Sequence, residues 1–168
     1  MTQRADFLVI GGGIAGVGAA ARLAPDASAV VLETEDAIGR HSTGRSAAIY
    51  IRNYGNRTLR ALNAASEPVL KEPEGISDQS LLSPRGEMLI ATEEELPDLN
   101  AYLEGASGLE ELTAKEAVAL FPILREELIA AAAIERDAQD IDVDRLLQGF
   151  ARLLRQNGGR IVTDAPVK

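Results

Sequence analysis

Cysteine is absent from the 168-residue chain, which excludes disulfides, thiolate catalysis and Cys-based metal centres in one step; no metal site is expected. Tryptophan is missing as well, and aromatic residues make up only 4%. The core must therefore be assembled from Ala, Leu, Ile and Val, side chains that allow close contact between helices and sheets. No apolar stretch is long enough to span a bilayer. Met1–Asp6 is too brief, and too soon followed by glycines, to act as a signal peptide, so a cytoplasmic location is expected.

What remains is an ordinary globular balance of 46% hydrophobic and 26% charged residues, outside the composition of disordered or fibrous chains. The net charge of −9 is unevenly spread. Residues 1–60 carry seven Arg against five acids, whereas residues 61–168 carry ten basic against twenty-one acidic side chains. An anionic cofactor is at ease in the first third. The remainder repels a phosphate backbone, so no nucleic-acid partner is expected.

Along the chain, Asp6–Ile10 is a continuous apolar run that predicts a buried parallel strand. A small-residue helix follows over Ile14–Leu23, stopped by Pro25 and Asp26, and Ala29–Glu33 is a second short strand. Strand, glycine turn, helix and strand within about 30 residues form a βαβ unit. Thr34–Arg45 is polar, and Ser46–Ile49 is expected to open a helix. Helical spacing predicts a helix over Arg57–Lys71, Pro73–Pro84 reads as a loop, Glu87–Ala91 as a strand and Glu93–Leu103 as an acidic helix. Thr113-Ala-Lys-Glu116 is a capping box for a helix ending near Phe121. Ile129–Ile134 predicts a strand, Val143–Gln156 a helix, and Arg160–Thr163 a strand after a Gly158-Gly159 stop.

The chemistry-bearing constellation is Gly11-x-Gly13-x-x-Gly16 between the first strand and the first helix, with Glu33 ending the next strand. The first glycine permits a tight turn, the second lets backbone approach a pyrophosphate, and the third lets the helix pack on the sheet. Amides of the first helical turn, at Ile14 and Ala15, present N–H groups and partial positive charge to phosphates. Glu33, with Thr34 beside it, is placed to accept from ribose hydroxyls, which disfavours a 2′-phosphate and hence NADP.

After Glu33 a plain NAD domain continues promptly with helix and strand, whereas this chain inserts Gly39-Arg-His-Ser-Thr-Gly-Arg-Ser-Ala-Ala48. This segment, together with Gly11–Gly16, Leu81-Leu-Ser-Pro-Arg85, Glu87-Met88 and Asp140-Ile-Asp142 ahead of a helix, resembles the FAD-dependent D-amino-acid oxidase and dehydrogenase superfamily, and most closely its D-arginine dehydrogenase group. The resemblance implies FAD as cofactor and an α/β fold: a Rossmann-like FAD-binding domain over 1–75 and 137–168, incomplete at its C-terminal end, with part of a second α+β substrate domain over 76–136. It also implies that His41, Ser42, Thr43, Ser46, Ala47 and Ala48 belong to the cofactor motif, with Val167 where a backbone contact to adenine falls. The same hydroxyls also suit an N-cap and a packed turn, the lesser of the two readings. Tyr54 matches a substrate-loop tyrosine. Glu87 matches a carboxylate that pairs with a cationic substrate side chain, though a surface acid at a strand edge has the same appearance. Where the D-arginine dehydrogenase group has a substrate-facing histidine, Ile49 stands here.

Members of the superfamily are more than twice as long, so the chain is expected to be a fragment or truncated product that associates with a missing C-terminal half. The activity implied is oxidation of the C–N bond of an amino acid, a D-amino acid in particular, or an amine, as small-molecule substrate, by hydride transfer to flavin, with an unknown electron acceptor. Two other readings stay open: a non-catalytic nucleotide-binding module or subunit needing a partner, and an NAD-dependent dehydrogenase. An incomplete sheet leaves apolar faces uncovered, so the isolated chain is expected to be poorly soluble or oligomeric.

Overall fold

The computed structural model describes residues 4–168; the first three residues of the segment considered above as a signal lie outside it. In chain order the elements are β1 (Phe7–Ile10), α1 (Ile14–Leu23), β2 (Ala29–Leu32), β3 (Ile49–Tyr50), α2 (Arg57–Lys71), β4 (Leu82–Pro84) and β5 (Glu87–Ala91). They continue with α3 (Leu96–Leu103), β6 (Leu109–Leu112), α4 (Ala114–Leu120), β7 (Ala131–Glu135), β8 (Gln139–Ile141), α5 (Val143–Gln156) and β9 (Arg160–Val162). The chain divides into two compact units, one of residues 1–48, 68–82 and 141–168, the other of residues 49–67 and 83–140.

The first unit is a mixed α/β layer built on a parallel sheet in the order β1-β2-β9. Phe7 pairs with Ala29 and Ile10 with Leu32, while Val30 to Leu32 pair with Arg160 to Val162. The central strand β2 is mostly buried, as its Ala-Val-Val-Leu sequence requires. Helices α1 and α5 pack on one face through Ala20, Ala21, Val17, Leu147, Ala151 and Leu154, joined by Val31 of the sheet. These small side chains are why an aromatic-poor sequence still closes a core here.

Strand β1 forms where expected but departs from the expectation of burial, with Leu8 60% and Ile10 67% exposed. It is an edge strand, as is β9, and its face opposite the helices opens onto a groove of about 550 Å³ lined by Leu8, Val30, Leu32 and Val162 together with Arg4, Ala5 and Arg160. The helix expected from Ser46 is also corrected: residues 46–48 are irregular, and Ile49–Tyr50 is a two-residue strand pairing antiparallel with β8, Ile49 opposite Asp140 and Tyr50 opposite Gln139. Backbone pairing captured a segment whose local composition also suited a helix.

The second unit centres on the antiparallel sheet β5-β7-β6. Glu87 stands opposite Glu135, Ala91 opposite Ala131, and Leu109 opposite Glu135 on the other side. Leu112, Ala117 and Ala132 form its core, covered by Met88, Leu124, Ile129 and Ile134. The capping box is in place: Thr113 Oγ1 accepts from the Glu116 N–H, and Glu116 accepts from the Thr113 N–H and hydroxyl. The acidic helix expected over Glu93–Leu103 splits into a single 3-10 turn and α3, with Pro97 in the first turn of α3 where its missing N–H does no harm. Strand β6 was not anticipated; its Leu-Glu-Glu-Leu sequence carries no strand signal, and pairing with β7 defines it.

Candidate functional site

The first unit's site begins with the turn after β1. Gly11 has φ of +106°, a conformation open to glycine and strained for other residues. A Cβ on Gly16 would lie 2.1 Å from the Gly11 carbonyl oxygen, so only glycine lets α1 start this close to the sheet. Between them the chain brings Gly12 against Glu33, whose Oε2 accepts from the Gly12 N–H at 2.6 Å while Oε1 accepts from the Glu35 N–H at 3.0 Å.

Glu33 is 8% exposed. The N–H of Glu35, aided by that of Gly12, holds its carboxyl below the ordinary glutamate range even though burial pushes the other way. A buried carboxylate therefore stays ionised one strand away from the N-terminus of α1, as the sequence spacing anticipates.

The segment after β2 folds back over that helix end. The Gly39 N–H donates to the Gly12 carbonyl at 3.1 Å, and Thr43 Oγ1 accepts from the Ile14 N–H at 3.0 Å. Thr43 thus caps α1 across 29 positions of sequence, a role that Gly13 at the N-cap cannot fill itself. His41 Nε2 lies 2.9 Å from Glu35 Oε1, and Arg40 forms a two-pronged pair with Asp36. His41 thus serves a surface side-chain contact within the turn.

A cleft of about 630 Å³ results, lined by Gly11, Gly13, Ile14, Ala15, Glu33, Thr34, His41, Ser42 and Thr43, to which Gly39 and Arg40 are added. Gly16 lies beneath the turn. Ser46, Ala47, Ala48 and Val167 are not among the lining residues; Val167 is exposed. The backbone just before it is tied to the site, with the Asp164 N–H donating to the Glu35 carbonyl and the Ala165 N–H to that of Glu33. Arg40 was not singled out from sequence; a basic residue inside the Gly-rich insertion was the available signal. Above Gly13 the nearest atom to an added Cβ is Thr43 Oγ1 at 3.2 Å, so no bulky side chain fills the space. Helix amides, an ionised carboxylate and small residues around an open cleft suit a diphosphate with an attached ribose.

The second unit holds a separate group of polar side chains at the end of its sheet where β5 begins and β7 ends. Glu87 is half-buried, and its Oε2 is a buried oxygen with no hydrogen-bond partner among the described residues. Burial pushes its carboxyl up, and the facing charge of Glu135 pushes it further, against the opposing pull of Arg85. Tyr102 of α3 feels both carboxylates: burial first, then the charges of Glu87 and Glu135, take its phenol up to about 12. Tyr54 is 61% exposed. Tyr102 and Glu135 escaped the sequence reading, since neither lies in a motif and only the β5–β7 register brings Glu135 opposite Glu87.

A parallel sheet with a glycine turn, a carboxylate on the neighbouring strand and an open cleft at a helix N-terminus defines a dinucleotide-binding α/β protein. The family model described as FAD dependent oxidoreductase matches residues 6–168. The chain belongs to that family, and FAD is its cofactor. Its fold is similar to that of L-alpha-glycerophosphate oxidase from Mycoplasma pneumoniae with FAD bound, at TM-score 0.81 and 15% identity over 97% of this chain and 45% of the other. Similarity extends to glycine oxidase from Geobacillus kaustophilus, at TM-score 0.78 and 23% identity over 97% and 47% of the two chains. L-proline dehydrogenase from P. horikoshii matches at TM-score 0.79 and 22% identity over 100% and 46%. The chain thus spans under half the length of each of these structures. No helix among the described residues is long and apolar enough to cross a membrane.

Proposed function

We propose that this chain forms the FAD-binding part and some of the substrate-facing part of an enzyme that oxidises the C–N bond of an amino acid, a D-amino acid in particular, or of an amine. The observation that carries the substrate class is Glu87 Oε2, a buried carboxylate oxygen with no hydrogen-bond partner among the described residues. Such an atom is costly unless a donor completes it, and a substrate ammonium or guanidinium is a donor of matching charge. Support also comes from two of the structures named above, glycine oxidase and L-proline dehydrogenase, whose names specify amino acids as substrates. Basic amino acids, as in the D-arginine dehydrogenase group, fit Glu87 well, while Ile49 in place of a histidine argues for a different preference around the substrate backbone.

In this reading residues 1–75 and 137–168 serve the cofactor, apart from the segment that carries Tyr54, and residues 76–136 serve the substrate. Glu33 and Thr34 would hold the ribose, and Gly11, Gly13, Ile14, Ala15 and Gly16 would shape the turn for the diphosphate, while His41, Ser42 and Thr43 wall the cleft. Ser46, Ala47 and Ala48 would contact the pyrophosphate and flavin, and Val167 would contact the adenine through its backbone. Bound FAD supplies a two-electron acceptor for hydride transfer. The chain's own part is to bind and orient: Glu87 sets the counter-charge for a cationic group, and Tyr54 covers the substrate from an exposed segment.

The test is FAD titration of the purified chain, with thermal protection by FAD and by NADH compared, followed by dye-linked oxidation of glycine, proline, D-arginine, D-lysine and sn-glycerol 3-phosphate by the whole enzyme of which the chain is proposed to form part. FAD protection and turnover of an amino acid are expected. Protection by NADH alone, or oxidation confined to the glycerol phosphate, overturns the proposal.

A further inference from the structure

A buried charge persists in a fold only where its hydrogen bonds are met. Glu135, the last residue of β7, and Asn53 are each 3% exposed. Glu135 Oε1 accepts from the Arg52 N–H at 3.0 Å, and its Oε2 accepts from Asn53 Nδ2 at 2.7 Å. Asn53 Nδ2 donates in addition to the Ser107 carbonyl at 2.9 Å, and Asn53 Oδ1 accepts from the Ser107 N–H at 3.0 Å. Five groups are joined, and both donors to Glu135 come from the two residues immediately before Tyr54.

The exposed Tyr54 is thereby mounted on a backbone held from several directions. Its N–H donates to the Ile51 carbonyl, Asn63 Nδ2 donates to the Ile51 and Tyr54 carbonyls, and Arg60 Nε donates to the Gly55 carbonyl. Among side chains, a carboxylate accepts from two donors on two oxygens without presenting a donor of its own, which accounts for an acid at position 135 in spite of the like charge of Glu87 directly opposite. We propose that Glu135, acting through Arg52 and Asn53, is a positioning residue that fixes the Tyr54 segment for substrate. This rests on the reading of Tyr54 as the residue that covers the substrate.

Glu135→Gln has one acceptor where two donors converge, so one contact becomes donor against donor. In the FAD-loaded chain, amide hydrogen exchange over residues 52–55 is expected to accelerate tenfold or more, and in the whole enzyme KM for the amino acid that it oxidises is expected to rise at least fivefold with kcat within about twofold. Asn53→Ala attacks the same tie from its other end and reports the same exchange should the Gln variant fail to fold. Glu87→Gln leaves the tie intact and must leave this exchange unchanged. Unchanged exchange in Glu135→Gln and Asn53→Ala overturns the tie itself. Faster exchange with KM unmoved overturns the positioning role, and if Tyr54→Phe and Tyr54→Ala then also leave KM unmoved, the failure lies in the reading of Tyr54.

Discussion

Glu33→Gln is the substitution on which the cofactor site stands most exposed to test. Both carboxylate oxygens accept from backbone amides, those of Gly12 and Glu35, in a side chain 8% exposed. Glutamine keeps one acceptor and turns an NH₂ toward the other amide, so one hydrogen bond to a charged group is lost and a buried N–H is left unmet. Such a loss amounts to about 2–3 kcal/mol, or a fall in Tm of roughly 4–12 °C for a chain of this size. The proposed ribose contact goes with it, which weakens FAD by about tenfold, equal to about 1.4 kcal/mol. Because the Glu33 carboxyl is held below the ordinary range, its contribution is present above the ordinary glutamate value and is lost as pH falls through the lowered one. Thermal denaturation across pH, with and without FAD, checks this. The gap between wild type and variant should be widest near neutrality and close below about pH 4. Equal melting and equal FAD protection at pH 7, or a gap that persists unchanged in acid, would refute the reasoning.

Gly16→Ala sets a methyl 2.1 Å from the Gly11 carbonyl oxygen, and is expected to cost about 3 kcal/mol or more or to abolish folding, read as loss of the cooperative unfolding transition in circular dichroism. Glu87→Gln should raise Tm at neutral pH. The folded state holds the Glu87 carboxyl above its ordinary range, so its ionisation opposes folding as pH rises, and the gain should shrink in acid; a lower Tm at pH 7 would count against it. Leu8→Lys with Ile10→Lys, both on the exposed edge strand, should reduce self-association in light scattering with little change in helix content; a wild-type chain that is already monomeric removes the premise.

The elements legible in the sequence are those whose signal is local. Helices α1, α2 and α5 match their expected spans because apolar spacing and helix-breaking neighbours act over a single turn, and the glycine turn with Glu33 matches because φ of Gly11 and the close approach at Gly16 are properties of a few consecutive residues. The Gly39–Ala48 insertion marked the flavoprotein family in the same way, as a contiguous string. Tertiary structure alone decided what depends on distant partners: Thr43 capping α1, Glu135 meeting Asn53 across 82 positions, and β3, β6 and β8 existing at all. Two- to four-residue strands hold too few side chains to carry a pattern, and their pairing energy comes from a neighbour strand remote in sequence. The exposure of β1 has the same origin, since an apolar run states a preference for burial while the number of strands and layers around it determines whether that preference is met.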